Sequence, residues 1–74
     1  MMTLARKAAA VTPSDSAANV FSFLRVAGAG NLKVDTIGGS TVTIGVLAGE
    51  YVPLSVTKVY ATGTTATGIV GFNT

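Results

Sequence analysis

Asp15, Asp35 and Glu50 are all the carboxylates this chain offers for chemistry. Beside them stand five cations, Arg6, Lys7, Arg25, Lys33 and Lys58, and a large stock of serine and threonine hydroxyls. Histidine, cysteine and tryptophan are absent. That removes imidazole and thiolate catalysis, Cys/His zinc sites and disulfides together. Acid–base work needs carboxylates positioned as a pair with separated pKa values. Asp15 falls in the N-terminal stretch, Asp35 in a strand beside a hairpin and Glu50 in a turn, and their spacing pairs none of them. No Gly-x-Ser-x-Gly elbow accompanies the serines, and no spacing sets Lys33 or Lys58 against one as a base. A carboxylate metal site needs several oxygen ligands close together, more than Asp15 and its serine neighbours supply. The sequence therefore reads as a non-enzyme, with no catalytic residue, no cofactor and no metal.

The glycine runs give the same answer. Gly28-Ala29-Gly30 follows a strand, as a phosphate loop would, but the next segment alternates with period two where a dinucleotide site requires a helix. The Thr62–Gly68 stretch lacks the Gly-Lys-Ser/Thr of a Walker loop. It reads as a turn rich in side-chain-to-backbone hydrogen bonds, with Gly63 in a left-handed conformation. Phe21, Phe23 and Arg25 share one face of an alternating strand, with Lys33 on the next. That is the outline of a single-strand nucleic-acid surface. Five cations in 74 residues, two of them near the N-terminus, leave the footprint too thin, and no RNA-binding aromatic–basic signature is present. The expectation is no nucleic-acid partner.

The elements that must position these residues are strands. From Val20 onward Val, Ile and Thr dominate, side chains that are stiff at χ1 and suit a pleated surface. Strand-like runs cover Val20–Val26, Leu32–Ile37, Thr41–Val46, Tyr51–Tyr60 and Ala66–Phe72. Gly28–Asn31, the Gly38-Gly39 hairpin signal, Ala48–Glu50 and Thr62–Thr65 separate them. Leu32, Val34 and Thr36 point inward, with Lys33 and Asp35 outward. In the longest run the apolar set jumps from Val56 to Val59, which predicts a bulge near Thr57-Lys58. Pro53 cannot donate to a ladder and places its segment at an edge, a strand start or a bulge. Residues 1–19 are Ala- and Ser-rich around Thr12–Ser16. They read as an extended arm, with at most one helical turn capped by Ser14 or Asp15, either loose or laid along a neighbouring subunit. The predicted fold is all-β: a small antiparallel β-sandwich or partly open barrel of five to six strands over residues 20–74, preceded by that arm.

Charged residues are 11% of the chain, mean hydropathy is +0.59, and the pI is near 9.4 on a net charge of only +2. From Thr36 to the end only Glu50 and Lys58 carry charge. A chain this small buries a modest share of its surface, and without disulfides or metal its remaining route to stability is association. Few charges guard the strand edges. The apolar run after Arg6-Lys7 is four residues, too short for a secretory signal. The apolar character is spread in alternation rather than gathered into a membrane span. The expectation is a chain surrounded by copies or partners and not by lipid. Pro13, Phe21, Phe23, Tyr51, Pro53 and Tyr60 are the candidate interface residues.

A resemblance sharpens this. Tyr51-Val52-Pro53-Leu54 and the strand that ends in Val59-Tyr60-Ala61-Thr62-Gly63-Thr64-Thr65-Ala66-Thr67-Gly68-Ile69 resemble the C-terminal signature "V.ATGTTAT.I" of the head spike base proteins. These are small virion proteins of tailed phages and gene transfer agents. Thr12–Ser16 is similar to that family's "TPSDS" entry, and Arg25–Val34 to its "VG.AG.L.V" hairpin. The similarity runs over roughly residues 12–72. The family commonly ends in an aliphatic residue and Tyr, whereas this chain ends Gly71-Phe72-Asn73-Thr74. The resemblance implies a capsid-surface protein that forms a ring of copies, a trimer or pentamer. It implies partners among the major capsid protein and a fibre or spike protein, with other virion positions (neck, tail, baseplate) as the alternative. It also implies location in the virion. Multiplicity would offset weak single contacts.

Overall fold

The structure, a computed structural model, describes residues 6–73. It is all-β, with no helix among the described residues. Seven short strands run in chain order: β1 (Lys7–Ala10), β2 (Phe23–Arg25), β3 (Gly30–Thr36), β4 (Thr41–Val46), β5 (Tyr51–Val52), β6 (Val56–Val59) and β7 (Val70–Asn73). They form two antiparallel sheets that do not close into a barrel, a four-stranded one ordered β1-β7-β2-β5 and a three-stranded one ordered β4-β3-β6. Alternation explains what lies between them. Leu24, Val26 and Val52 face Leu32, Val34, Val56 and Val59, with Val11, Val46, Ala66 and Ile69 closing the core. Leu24, Val26, Leu32, Val34, Val56 and Val59 are fully buried. No buried residue is polar or charged among those described, so an apolar core of branched side chains holds the sheets together at roughly 1.5–3 kcal/mol for each fully buried side chain.

Two runs expected to be continuous strands are divided. The Tyr51–Tyr60 run breaks at Pro53-Leu54-Ser55: β5 ends in one sheet and β6 begins in the other. Pro53 has no N–H to continue a ladder, and the Leu54 N–H turns back to the Val52 carbonyl at 2.8 Å. β5 is accordingly an edge strand, as Pro53 requires. The Val20–Val26 run divides in step. Phe21 exchanges both backbone hydrogen bonds with Val56 of β6, at 3.0 and 2.9 Å, while Phe23 already belongs to the four-stranded sheet. The two segments cross between sheets together, stitched where the Ser55 hydroxyl donates to the Ser22 carbonyl. The crossing turns Phe21 away from the face of Phe23: its ring lies over Gly71, where any Cβ would overlap it. The expected shared face of Phe21 and Phe23 does not form, because the period-two rule holds only within one strand.

The bulge predicted near Thr57-Lys58 is present. Asp35 pairs with Lys58 and Thr36 with Val56, which leaves Thr57 as the extra residue. The Gly38-Gly39 turn carries one residue more than the two-residue hairpin expected. Gly39 N–H bonds the Thr36 carbonyl, Thr36 N–H bonds the Ser40 carbonyl, and Gly39 takes the left-handed conformation at φ +95°. The loop after β6 lies beside β3 and completes its ladder with hydroxyls. Thr65 Oγ1 accepts from Asn31 N–H at 2.8 Å and Thr64 Oγ1 from Lys33 N–H at 3.1 Å. Residues 6–19 are extended, and no helical turn forms. Ser14 Oγ instead accepts from the N–H groups of Ser16 and Ala17 in a bend. β1 pairs with β7, Val11 N–H bonds Ile69, Ser14 N–H bonds Val59 and Asn19 N–H bonds Thr57. The N-terminal stretch thus touches both sheets.

Candidate functional site

β2, β5 and β7 place Leu24, Val52 and Gly71 inward, so alternation turns their neighbours out. Register then assembles two rows on the outer face of the four-stranded sheet. One is Ala8, Phe72 and Phe23; the other is Ala10, Val70, Arg25 and Tyr51. The Phe23 and Phe72 rings stack with centroids 4.9 Å apart and planes at 12°. Tyr51 tilts against Phe72 at 6.3 Å, and the Arg25 guanidinium sits 5.7 Å from the Tyr51 ring centroid. Tyr51 is 59% exposed, Ala8 and Ala10 are exposed, and the other members are half-buried. Arg25 is the sole charge in these rows. The outer face of a solitary sandwich alternates to polar, and this one alternates to aromatic.

The three-stranded sheet presents the opposite chemistry. Asn31, Lys33, Asp35, Thr41, Thr43 and Lys58 occupy its outer positions, opposite one another in register. Tyr60 lies between two cations, Lys33 Nζ 4.9 Å and Lys58 Nζ 5.1 Å from its ring centroid. Its hydroxyl donates to Asp35 Oδ2 at 2.8 Å, and the Thr41 hydroxyl donates to Asp35 Oδ1. These two donors, Thr41 first, hold the Asp35 carboxyl below its ordinary range, and the same bond to Asp35 pushes the Tyr60 phenol up.

Each carboxylate is occupied by the fold. Asp15 Oδ1 accepts from the Ala61 and Thr62 N–H groups, both at 3.0 Å, and Oδ2 from the Thr62 hydroxyl at 2.6 Å. The Thr62 hydroxyl, then its N–H, lowers the Asp15 pKa. Glu50 Oε1 accepts from Leu47 N–H at 2.7 Å and closes the β4–β5 turn. Each of the three carboxylates thus clamps a different loop or hairpin. Among the described residues no group of His, Cys, Asp or Glu is placed to hold a metal ion, and no helix is long and apolar enough to cross a membrane.

Of the expected interface residues, the structure brings Phe23 and Tyr51 onto the aromatic face. Pro53 is exposed just beyond β5, and Pro13 is half-buried in the N-terminal stretch. Phe21 packs against the core and Tyr60 stands on the opposite sheet. Phe72, Val70, Arg25, Ala8 and Ala10 complete the face, and the sequence did not group them with it. The missing information was strand order: nothing local in the sequence says that β7 lies between β1 and β2.

No family model matches the sequence, and no curated protein matches it. Among solved structures, a chain of "Capsid of native GTA particle computed with C5 symmetry" matches with a TM-score of 0.87 and 41% identity, over 96% of this chain and 86% of that one. GTA denotes a gene transfer agent, a phage-like particle. Identity at that level across nearly the full length of both chains, on the same two-sheet fold, carries more than a shared architecture. The chain belongs to the virion proteins of phages and gene transfer agents.

Proposed function

We propose that this chain is a non-enzymatic structural protein of the virion surface that forms a ring at the capsid and serves as the base for a spike or fibre, or decorates the shell. The observation that carries this is the 41% identity to a chain of a gene-transfer-agent capsid. The resemblance of residues 12–72 to the head spike base proteins supports the finer assignment to a spike base. The aromatic face of β1, β7, β2 and β5 supplies a surface to seat on the shell or on a neighbouring copy, and the polar face of the other sheet remains toward solvent. Its partners on this reading are copies of itself, the major capsid protein and the spike or fibre protein. The neighbour's particle was computed with C5 symmetry, and a ring of five copies, rather than three, would match that axis.

The test is direct. Particles are purified, the protein is tagged at an exposed loop such as Ala48-Gly49, and its position is imaged. Tags clustered at capsid vertices support a spike base, and tags spread across the shell support decoration. Tags at the neck, tail or baseplate, or a protein absent from particles, overturn the proposal.

A further inference from the structure

Two sheets have four edges, and two of them leave little for a partner to pair with. The far side of β6 is covered by the N-terminal stretch, through Ser14 N–H to Val59 and Asn19 N–H to Thr57. β5 is two residues long and ends at Pro53. β1 is four residues long and begins at Lys7, next to Arg6. β4 is different. Its six residues, Thr41 to Val46, contain no charge, no proline and no bulge, and its only paired neighbour among the described residues is β3. Natural edges of this length carry a device against pairing, and this one carries none.

The backbone phase of β4 can be read from β3. The carbonyls of Lys33 and Asn31 accept from Tyr60 N–H and from Thr65 and Ala66 N–H, on the side away from β4. Their cross-strand partners Thr43 and Gly45, and Thr41 opposite Asp35, therefore turn their own N–H and C=O groups outward. Among the described residues that is a row of three unpaired donors and three unpaired acceptors. Gly45 leaves open space beside it. Apolar side chains flank the same edge: Val42 is 36% exposed although it pairs with fully buried Val34, and Ile37 and Leu47 at its two ends are 68% and 74% exposed.

We propose that β4 of one copy is extended by β1 of the next, antiparallel, so that the three-stranded sheet of one subunit continues into the four-stranded sheet of its neighbour. This rests on the reading of the chain as a self-assembling virion protein and names the contact that builds the ring. β1 is the occupant because it is the other edge with length to match. Val11 N–H bonds Ile69, so alternation turns the backbone of Ala8 and Ala10 outward, and their small side chains permit close approach. Antiparallel docking brings Arg6 and Lys7 to the Val46 end of β4, where the Glu50 carboxylate is held against Leu47 N–H. The contact joins two different edges, so it is heterologous rather than two-fold, and it builds a ring when the rotation between copies closes. Backbone hydrogen bonding supplies the affinity, as in other strand additions.

The test uses the full chain in light scattering across a micromolar concentration series, with thermal melts as the folding control. Thr43→Pro removes an N–H that the fold does not use, at an edge position that tolerates proline, and Ala8→Pro does the same on β1. Each variant alone is expected to lose the oligomer at an unchanged melting temperature. Mixed one to one, they are expected to restore a heterodimer through the one junction left intact. Thr43→Lys, which keeps the N–H and adds an edge charge, repeats the measurement should the proline variant fail to fold. An oligomer that survives both Thr43 changes overturns the β4 contact and leaves the virion assignment standing. An oligomer lost with Thr43→Pro but kept with Ala8→Pro overturns β1 as the occupant. A wild-type chain that stays solitary at every concentration and on particles overturns both readings.

Discussion

Gly63 shows how much one residue carries. Its φ is +94°, and a Cβ there would come within 3.0 Å of Lys33 Cδ. A β-branched residue fits that region poorly, and holding one there costs about 1–3 kcal/mol. Gly63→Val is expected to lower the melting temperature by roughly 4–8 °C for each kcal/mol lost in a domain of this size, with Gly63→Ala milder; an unchanged melting curve would refute the strained loop. This position was legible because a Thr/Gly turn needs its glycine for conformation. Asp15 was not legible. It was expected in the N-terminal arm as a candidate cap of a helical turn, and it instead accepts three hydrogen bonds from Ala61 and Thr62, more than 45 residues away in sequence. Its pKa and that of Asp35 both lie below the ordinary 3.8. The folded chain therefore binds fewer protons at these groups than the unfolded chain, and their contribution is full above about pH 4 and is lost as pH falls below it. The stability of wild type is expected to fall in that acid window, and the fall is expected to be smaller in Asp15→Asn. Denaturation midpoints between pH 2 and 7 check this, and parallel curves would remove Asp15 from the account.

At the level of elements, the strands legible in the sequence were those whose alternation runs uninterrupted. β4 matches its expected bounds, β3 differs by a residue or two, and the Thr57 bulge follows from the jump between Val56 and Val59. The strands that were misread are those that change sheets. Crossing from Phe21 to Phe23 resets the phase of alternation, and crossing from β5 to β6 changes sheet while Val52, Leu54 and Val56 keep theirs, so a local pattern records the change of sheet only as a proline. β1 was hidden for another reason. Lys7-Ala8-Ala9-Ala10 has weak strand preference and is a strand because β7 offers it a ladder. Removing residues 1–16 would take away that ladder, buried Val11 and the Asp15 clamp together. The truncated chain is expected to melt several degrees lower than wild type even when isolated from any particle. An unchanged melting temperature by circular dichroism would mean that β1 contributes to assembly alone.

The whole molecule is two-faced, and that asymmetry was legible only in part. Composition announced too little charge for a solitary surface, but it could not say where the few charges lie. The structure gathers Lys33, Asp35 and Lys58 on the outer side of one sheet and leaves Arg25 as the sole charge among the stacked rings of the other. If the aromatic side is the seated one, changes there act on docking before they act on folding, since Phe23 and Phe72 are already half-exposed and lose mainly a stacking contact of about 0.5–1.5 kcal/mol. Phe72→Ser and Tyr51→Ser are expected to reduce recovery of the protein with sedimented particles by an order of magnitude or more, each tenfold in affinity corresponding to about 1.4 kcal/mol. Lys33→Ser and Lys58→Ser, on the opposite side, are expected to leave recovery unchanged. Particles made without this protein and incubated with each purified variant provide the assay, with melting temperature as the control for folding. The reverse ranking, lysine variants lost and aromatic variants retained, would turn the subunit over and put the polar sheet against the shell.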